Sequence, residues 1–143
     1  MTRIGLAGLA LALATAAPAL AVDGASAAST YRVVTDGSSR TLRVGEKGKV
    51  VVVVDPLEKG IHVNREFPLK YKVEPSPGLQ VERSEWKRGD AVDPDAENPR
   101  FEIPVVAVAR GAQQVAVQMR FAICSDSWCV PQTRTVTVAI DVK

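Results

Sequence analysis

Cysteine, histidine and aromatic residues are scarce in this sequence. Its 143 residues include two cysteines, one histidine and 5% aromatic side chains, with a formal net charge of +2. Charge this close to balance argues against binding to nucleic acid or to an anionic membrane, so no nucleic-acid partner is expected. The single histidine, His62, has no surrounding motif that would make it the base of a serine or cysteine hydrolase.

Metal and cofactor sites find little support in the sequence, and none is expected. His62 and the two cysteines would offer three zinc ligands, but the histidine lies about sixty residues from the pair. The glycines form no phosphate-binding pattern. The acidic residues between positions 82 and 97 match no compact calcium loop and read as a solvated segment: Glu82, Glu85, Asp90, Asp93, Asp95 and Glu97.

Apolar runs are short beyond the first residues of the chain. Arg3, an apolar run at 4–13 and the small residues Ala19 and Ala21 are typical of an export signal. We expect residues 1–21 to be a signal peptide cleaved after Ala21, residues 22–29 a disordered leader, and residues 30–143 one domain. The small residues at 25–27 offer a second cleavage site. The mature chain is therefore expected to be periplasmic or secreted and to lack a membrane span.

The folded part breaks into short runs rich in Val, Ile, Thr and aromatic residues. Gly, Pro, Asp and Ser separate these runs, as they do between strands. The expected strands are 31–35, 41–44, 49–54, 69–73, 79–82, 101–109, 114–123 and 133–142, with a long loop at 84–100. We predict an all-β, immunoglobulin-like antiparallel β-sandwich of about seven to nine strands. The five valines at 50–54 indicate a central strand covered on both sides.

Both cysteines lie at the tip of the last expected hairpin. If Cys124 and Cys129 sit directly across from each other, the register places Val117 opposite Val136 and Val115 opposite Val138. Apolar residues then meet on one face and polar residues on the other, which a slip of one residue would destroy. This alternation predicts that the cysteine pair faces away from the core, unless another segment covers it.

An oxidised pair is expected in an exported chain with exactly two cysteines, and it has two interpretations. A structural staple is one, but a ring of about six residues contributes only about 2 kcal/mol and joins strands that are already neighbours. Thiol–disulfide exchange with a partner is the other, since exchange depends on access to the sulfurs. We favour exchange over the staple.

The loop between the cysteines holds no side chain that would activate a thiol. Lys, Arg and His are absent from residues 124–129, and Asp126 disfavours a thiolate beside it. The pair is therefore expected to be attacked by a partner and not to initiate exchange itself. Trp128 has two open interpretations, a shield or docking surface for the sulfur or an ordinary packed aromatic.

Residues 121–131, FAICSDSWCVP, together with the Thr/Val strand that follows, carry a family resemblance. They resemble the closing hairpin of the N-terminal periplasmic domain of the DsbD thiol:disulfide interchange family, in which Cys-x-Pro follows a short polar insert. The segment KGIHVN at 59–64, followed by FPL at 67–69, looks like the approach to the middle strands of such domains. The similarity spans roughly residues 45–142.

The resemblance implies an immunoglobulin-like fold and a redox pair, Cys124 and Cys129, that relays electrons between thioredoxin-like or other periplasmic oxidoreductases. It also implies a loop that shields the sulfurs, expected in the 56–67 region, where His62 and Phe67 are candidates for shielding or docking. The membrane channel and thioredoxin-like domain of the full-length family do not follow the hairpin here. We therefore expect a stand-alone domain whose electron donor is a separate protein.

Overall fold

The computed structural model of the chain describes residues 21–143, so the expected signal peptide lies outside the described residues except for its last position. A short helix opens the described part, and ten strands and one turn of 3-10 helix follow. In chain order these are α1 Gly24–Ala28, β1 Tyr31–Val34, β2 Thr41–Leu42, β3 Lys47–Pro56, β4 His62–Val63, β5 Lys70–Pro75, β6 Leu79–Val81, β7 Glu85–Lys87, the 3-10 turn Arg88–Asp90, β8 Phe101–Ala107, β9 Gly111–Cys124 and β10 Cys129–Val142.

The strands form two sheets. One has the order β1-β3-β8-β6, and the other has the order β2-β10-β9-β5-β7 with β4 also beside β9. The pair β2 and β10 is parallel, and the other described pairs are antiparallel. The predicted all-β, immunoglobulin-like sandwich is thereby confirmed. No helix within residues 21–143 has the length and apolar character needed to cross a membrane.

The valine run occupies the centre of β3, which lies between β1 and β8. Val50, Val52 and Val54 face the other sheet and belong to the core. Val51 points to the opposite side yet is 0% exposed, because the turn at Gly37 and Ser38 lies over it. The Ser38 hydroxyl accepts a hydrogen bond from the Val51 amide at 2.8 Å. The prediction of a strand covered on both sides is confirmed at Val51.

The leader at 22–29 does not match the expectation of disorder. Residues 24–28 form helix α1, in which the Asp23 carboxylate accepts a hydrogen bond from the Ser26 amide at 2.7 Å. Ala27 is fully buried, and the Gly24 carbonyl accepts a hydrogen bond from Gln132 of β10. The leader is ordered because its small side chains fit against β10, a partner more than 100 residues away that local composition does not reveal.

The expected loop at 84–100 is also wrong at its start. Glu85–Lys87 forms the edge strand β7, which pairs with β5, and the 3-10 turn follows it. Trp86 is buried between the exposed Glu85 and Lys87, so the alternation that marks a strand is present but lasts only three residues. A pattern this short does not stand out among the surrounding charges, prolines and glycine.

Two aromatic pairs join the sheets through the core. The rings of Tyr31 on β1 and Phe121 on β9 meet edge to face, with centroids 5.4 Å apart. Tyr71 on β5 lies against Phe101 on β8 at 4.4 Å. Each pair takes one ring from each sheet, so together they fix how β9 and β5 sit over the opposite layer.

Candidate functional site

The hairpin of β9 and β10 has the predicted register. Cys124 lies opposite Cys129, Val117 opposite Val136, and Val115 opposite Val138. Both strands are 14 residues long, which makes this hairpin the longest paired unit in the described chain. Its apolar face reaches the core, and its cysteines lie at the end where β9 turns into β10.

Cys124 and Cys129 form a disulfide with their Cα atoms 4.1 Å apart. The Ser125 amide donates a hydrogen bond to the Trp128 carbonyl at 2.8 Å, which closes the turn immediately beyond the pair. The short Cα separation is that of a non-hydrogen-bonded cross-strand pair, where facing side chains come closest. The bridge therefore joins two residues that strand pairing already holds together.

The two cysteines differ in exposure. Alternation along β9 puts Cys124 on the same face as Ala122, away from the core, as predicted. Cys124 is nevertheless only 1% exposed and Ala122 only 3%, whereas Cys129 is exposed. Another segment covers half of the pair, so the disulfide presents one accessible residue and one buried residue.

The covering segment arises from a mismatch in strand pairing. Val63 of β4 lies opposite Ile123, and Tyr71 of β5 lies opposite Met119. Tyr71 is eight positions after Val63, whereas their partners on β9 are four positions apart. The surplus chain forms the loop at 64–69, and the Asn64 amide donates to the Ala122 carbonyl where that loop leaves the sheet.

Asn64 links this loop to the disulfide. Its side-chain Nδ2 lies 3.4 Å from Sγ of Cys124 and 3.7 Å from Sγ of Cys129, and donates to both. Its Oδ1 accepts hydrogen bonds from the backbone amides of Glu66 and Phe67 at 2.8 and 2.7 Å. Because Oδ1 faces two N–H donors, the amide orientation is determined and its N–H groups point at sulfur.

Arg88 holds the covering loop by hydrogen bonds to backbone carbonyls. Its Nη2 donates to the carbonyls of Val63 and Asn64, both at 3.2 Å. Its Nη1 donates to the carbonyls of Pro94 and Ala96, at 3.3 and 3.0 Å. Burial lowers the pKa of the Arg88 guanidinium. One side chain thus ties the loop at 64–69 to the 94–96 segment, with the planar five-donor geometry that only arginine offers.

The three candidate shielding residues, His62, Phe67 and Trp128, have different surroundings. His62 is opposite Cys124 in the β4–β9 register, and its ring Nδ1 donates to the Gly60 carbonyl at 3.1 Å. Phe67 follows the Asn64 turn, and the Arg120 guanidinium lies 5.9 Å from its ring centroid. Trp128 is half-buried and packs against the hydrophobic core. The fold thus brings His62 to the cysteines despite their separation along the chain.

Sequence reasoning missed Asn64 and Arg88. The expected 56–67 region does contain Asn64, but nothing in the HVNREF stretch distinguishes this asparagine from one in an ordinary turn. Arg88 lies in the segment at 84–100, for which the sequence predicts a long loop. Within residues 21–143, no group of three or more His, Cys, Asp or Glu side chains is arranged to hold a metal ion.

Comparison with known proteins identifies no family: no family profile and no curated protein matches this chain. Several solved structures are similar in fold. Domains 4 and 5 of the S-layer protein SbsC are 15% identical with a TM-score of 0.40, over 78% of this chain and 44% of theirs. The PapD-like domain 7 of human CEP192 is 7% identical with a TM-score of 0.39, over 93% and 96% of the two chains.

A third similar structure is AggA, the major subunit of aggregative adherence fimbriae type I from Escherichia coli. It is 10% identical with a TM-score of 0.37, over 87% of this chain and 98% of that one. This chain spans less than half of the SbsC fragment that it matches. At these identities and scores, none of the three carries an argument about what this chain does.

Proposed function

We propose that this protein is an exported thiol:disulfide exchange domain that relays electrons through Cys124 and Cys129 to or from partner oxidoreductases. One observation carries the proposal: the disulfide sits at a hairpin tip with Cys129 exposed and Cys124 buried under Asn64. Such a bridge has a defined point of attack and a defined leaving group. The resemblance of residues 121–131 to the DsbD N-terminal domain supports the same chemistry.

The exchange begins with the thiolate of a partner protein. It attacks Sγ of Cys129, a mixed disulfide forms, and the bond between Cys124 and Cys129 breaks. Cys124 leaves as a thiolate, and the Asn64 Nδ2–H, 3.4 Å away in the oxidised form, is placed to stabilise that charge. A second partner thiol then attacks the mixed disulfide and releases Cys129. The partner dithiol is oxidised by two electrons, and the cysteine pair receives them with two protons.

Stability alone does not explain the bridge. The two cysteines are five positions apart, so the closed ring is short and contributes only about 2 kcal/mol by loop-closure entropy. Strand pairing and the buried apolar face of β9 already hold the hairpin together. A staple placed for stability would gain more by joining distant segments.

A second candidate function is a non-enzymatic binding or scaffold domain with an inert disulfide. The observation in its favour is the cover itself, because Cys124 is 1% exposed and Asn64 contacts both sulfurs. Shielding of this kind protects a structural bridge as well as a reactive one. The two candidates differ in whether a partner thiol can open the bond in the folded protein.

Trapping of mixed disulfides separates these candidates. Cys124→Ser leaves the exposed Cys129 without its partner, and we expect it to capture thioredoxin-like proteins from a periplasmic extract, detected by non-reducing electrophoresis and mass spectrometry. Cys129→Ser is the matched control, and we expect little capture because Cys124 is buried. The bridge is inert if the reduction potential of the disulfide is far below about −300 mV and a thioredoxin-like donor does not reduce the folded protein.

A further inference from the structure

Positive charges line up across the outer face of the six-stranded sheet. Arg120 on β9 lies opposite Lys70 on β5, which in turn lies opposite Lys87 on β7. Lys72, two residues along β5, projects from the same face. All four side chains are exposed, and they are called the basic face below: Lys70, Lys72, Lys87 and Arg120. An open groove of about 470 Å³ runs along them.

Within residues 21–143, Arg120, Lys70 and Lys87 of this face have no ion-pair partner, whereas Lys72 lies opposite an acidic residue. The ion pairs found within residues 21–143 involve other side chains, and Glu85, opposite Lys72, is the one acidic residue lining the groove. Like charges directly opposite each other on neighbouring strands are destabilising. The row of Arg120, Lys70 and Lys87 contains two such register pairs in succession. An anionic surface bound beside this row offsets that cost.

The basic face lies on the same side of β9 as the cysteine pair. Arg120, Ala122 and Cys124 alternate onto one face of β9, so Arg120 is four residues from the buried cysteine. At about 3.4 Å per residue, the row of charges lies about 14 Å from the disulfide. The Phe67 ring lies beside the Arg120 guanidinium, with its centroid 5.9 Å away. A folded protein that reaches Cys129 is large enough to cover the basic face at the same time.

We propose that the basic face docks an acidic surface of the protein that exchanges thiols with Cys129. This inference rests on the proposed exchange function and adds the charge of the partner. Strands lie about 5 Å apart, so the three cations in the row span about 10 Å. That spread matches several carboxylates on a protein surface better than one phosphate group. Opposite charge placed beside the reactive cysteines speeds encounter and fixes orientation.

Binding is tested first, without any thiol chemistry. The probes are three fluorescein-labelled peptides with the same serine–glycine spacer, ending in four glutamates, four glutamines or four lysines. We expect the glutamate peptide to bind the oxidised protein at least about tenfold more tightly than the lysine peptide at low salt. Fluorescence anisotropy measures this difference, which should shrink towards one at about 0.5 M salt because exposed charges are screened.

Exchange is tested with the same peptides carrying an N-terminal cysteine about five spacer residues from the charges, enough to bridge about 14 Å. We expect the glutamate peptide to reduce the disulfide about tenfold faster than the lysine peptide at low salt. The combined variant Lys70→Gln/Lys87→Gln/Arg120→Gln should abolish both preferences. Its urea midpoint should not fall, since like-charge contacts are removed.

The control variant carries the same charge change at the opposite end of the sandwich. It is Arg40→Gln/Arg43→Gln/Lys47→Gln, and these three side chains are also exposed. It should keep the glutamate preference within about twofold. Equal loss in both variants, or no glutamate preference in the wild type, overturns the proposal. Binding to phosphatidylglycerol vesicles without binding to the glutamate peptide overturns it as well.

The two levels of inference fail in different ways. If the glutamate peptide binds at the basic face but no peptide thiol opens the disulfide, the docking surface stands and the exchange function is wrong. If all three peptide thiols reduce the disulfide at equal rates and bind equally, exchange stands and the docking proposal is wrong.

Discussion

The cover of the disulfide depends on Asn64, because the oxygen and the nitrogen of its side-chain amide bond to different groups. Oδ1 shapes the loop by accepting from the Glu66 and Phe67 amides, and Nδ2 donates to both sulfurs. Asparagine is common in such turns because its side chain bonds to the backbone just ahead of it. The donor directed at sulfur is what an ordinary turn asparagine does not have.

The variant Asn64→Asp separates these two roles. Aspartate keeps an acceptor for the loop amides, but it removes the donor and places a negative charge beside sulfur. We expect the folded loop to persist, the thiolate fraction of the reduced pair at pH 7 to fall several-fold, and reduction by a thiol donor to slow about tenfold. Iodoacetamide alkylation as a function of pH measures the thiolate fraction.

Asn64→Ala is the companion variant, since it removes both roles. It should loosen the loop and raise the accessibility of Cys124, seen as faster reduction of the disulfide by a small neutral thiol. An Asn64→Asp protein with unchanged alkylation and reduction rates would contradict the role given to Nδ2.

Asp90 makes the stability of the Arg88 turn dependent on pH. Its carboxylate accepts from the Lys87 amide at 2.8 Å and pairs with Arg83 at 3.0 Å, and the Lys87 bond is the main reason that its pKa is lowered. The charged form is therefore favoured in the folded state. Its stabilisation is complete above the unfolded pKa, about 3.9, and is lost as pH falls through the lower folded value.

Comparison of the wild type with Asp90→Asn tests this directly. We expect the wild type to be the more stable protein at pH 6 and the difference to shrink steadily below about pH 4, as urea unfolding at each pH would show. Asparagine retains one acceptor for the Lys87 amide, so the variant isolates the charge. A difference that stays constant down to pH 2 would show that the carboxylate charge contributes nothing.

At the scale of elements, the β9–β10 hairpin is stabilised mainly by its buried apolar face. The disulfide adds little to the free energy of unfolding. Replacing both cysteines by alanine should lower the free energy of unfolding by about 2 kcal/mol or less, because the ring is short and the strands stay paired. Phe121→Ala, in the same strand, should cost about 3–5 kcal/mol because that ring is fully buried against Tyr31. Urea unfolding of the three proteins gives both values.

The order of these two effects is the informative result. A double-cysteine variant that loses more stability than Phe121→Ala would make the bridge a structural element, and it would favour the inert scaffold over the exchange domain. A modest loss of stability, with an unchanged near-ultraviolet circular dichroism spectrum, would show that the fold does not depend on the disulfide.

Much of this hairpin could be predicted from sequence, since alternation along a strand is a local property. The apolar set from Val115 to Ile123 and its pairing with β10 followed from period-two spacing and the positions of the cysteines. The exposure of Cys124 could not be predicted in the same way. Its burial depends on the loop at 64–69, which exists because β4 and β5 pair with β9 at registers that differ by four residues.

At the scale of the whole molecule, two tyrosines join the sheets, and their hydroxyl groups differ in hydrogen bonding. The Tyr31 hydroxyl donates to Oε1 of the buried Gln132 at 2.8 Å. The Tyr71 hydroxyl is buried without a hydrogen-bond partner among the described residues. Burial raises the pKa of both hydroxyl groups above the ordinary tyrosine value. The same substitution should therefore lower stability at position 31 and should not lower it at position 71.

Tyr71→Phe should leave stability unchanged or raise it by about 1 kcal/mol, because it removes an unsatisfied buried hydroxyl and keeps the ring beside Phe101. Tyr31→Phe should cost about 1–2 kcal/mol, since it leaves the Gln132 oxygen without its donor. Urea unfolding measures both, and each variant controls for the other. Equal losses at both positions would contradict this account of the two hydroxyls.

The sequence by itself determined the fold class, most of the strands, the hairpin register and the position of the cysteine pair, because each depends on spacing within a short stretch. Only the tertiary structure decided that Cys124 is covered and Cys129 exposed. It also decided that Asn64 reaches the sulfurs, that Arg88 holds the loop, and that charges from β5, β7 and β9 form one row. These features join residues from separate strands, and strand order and register bring them together without leaving a local pattern.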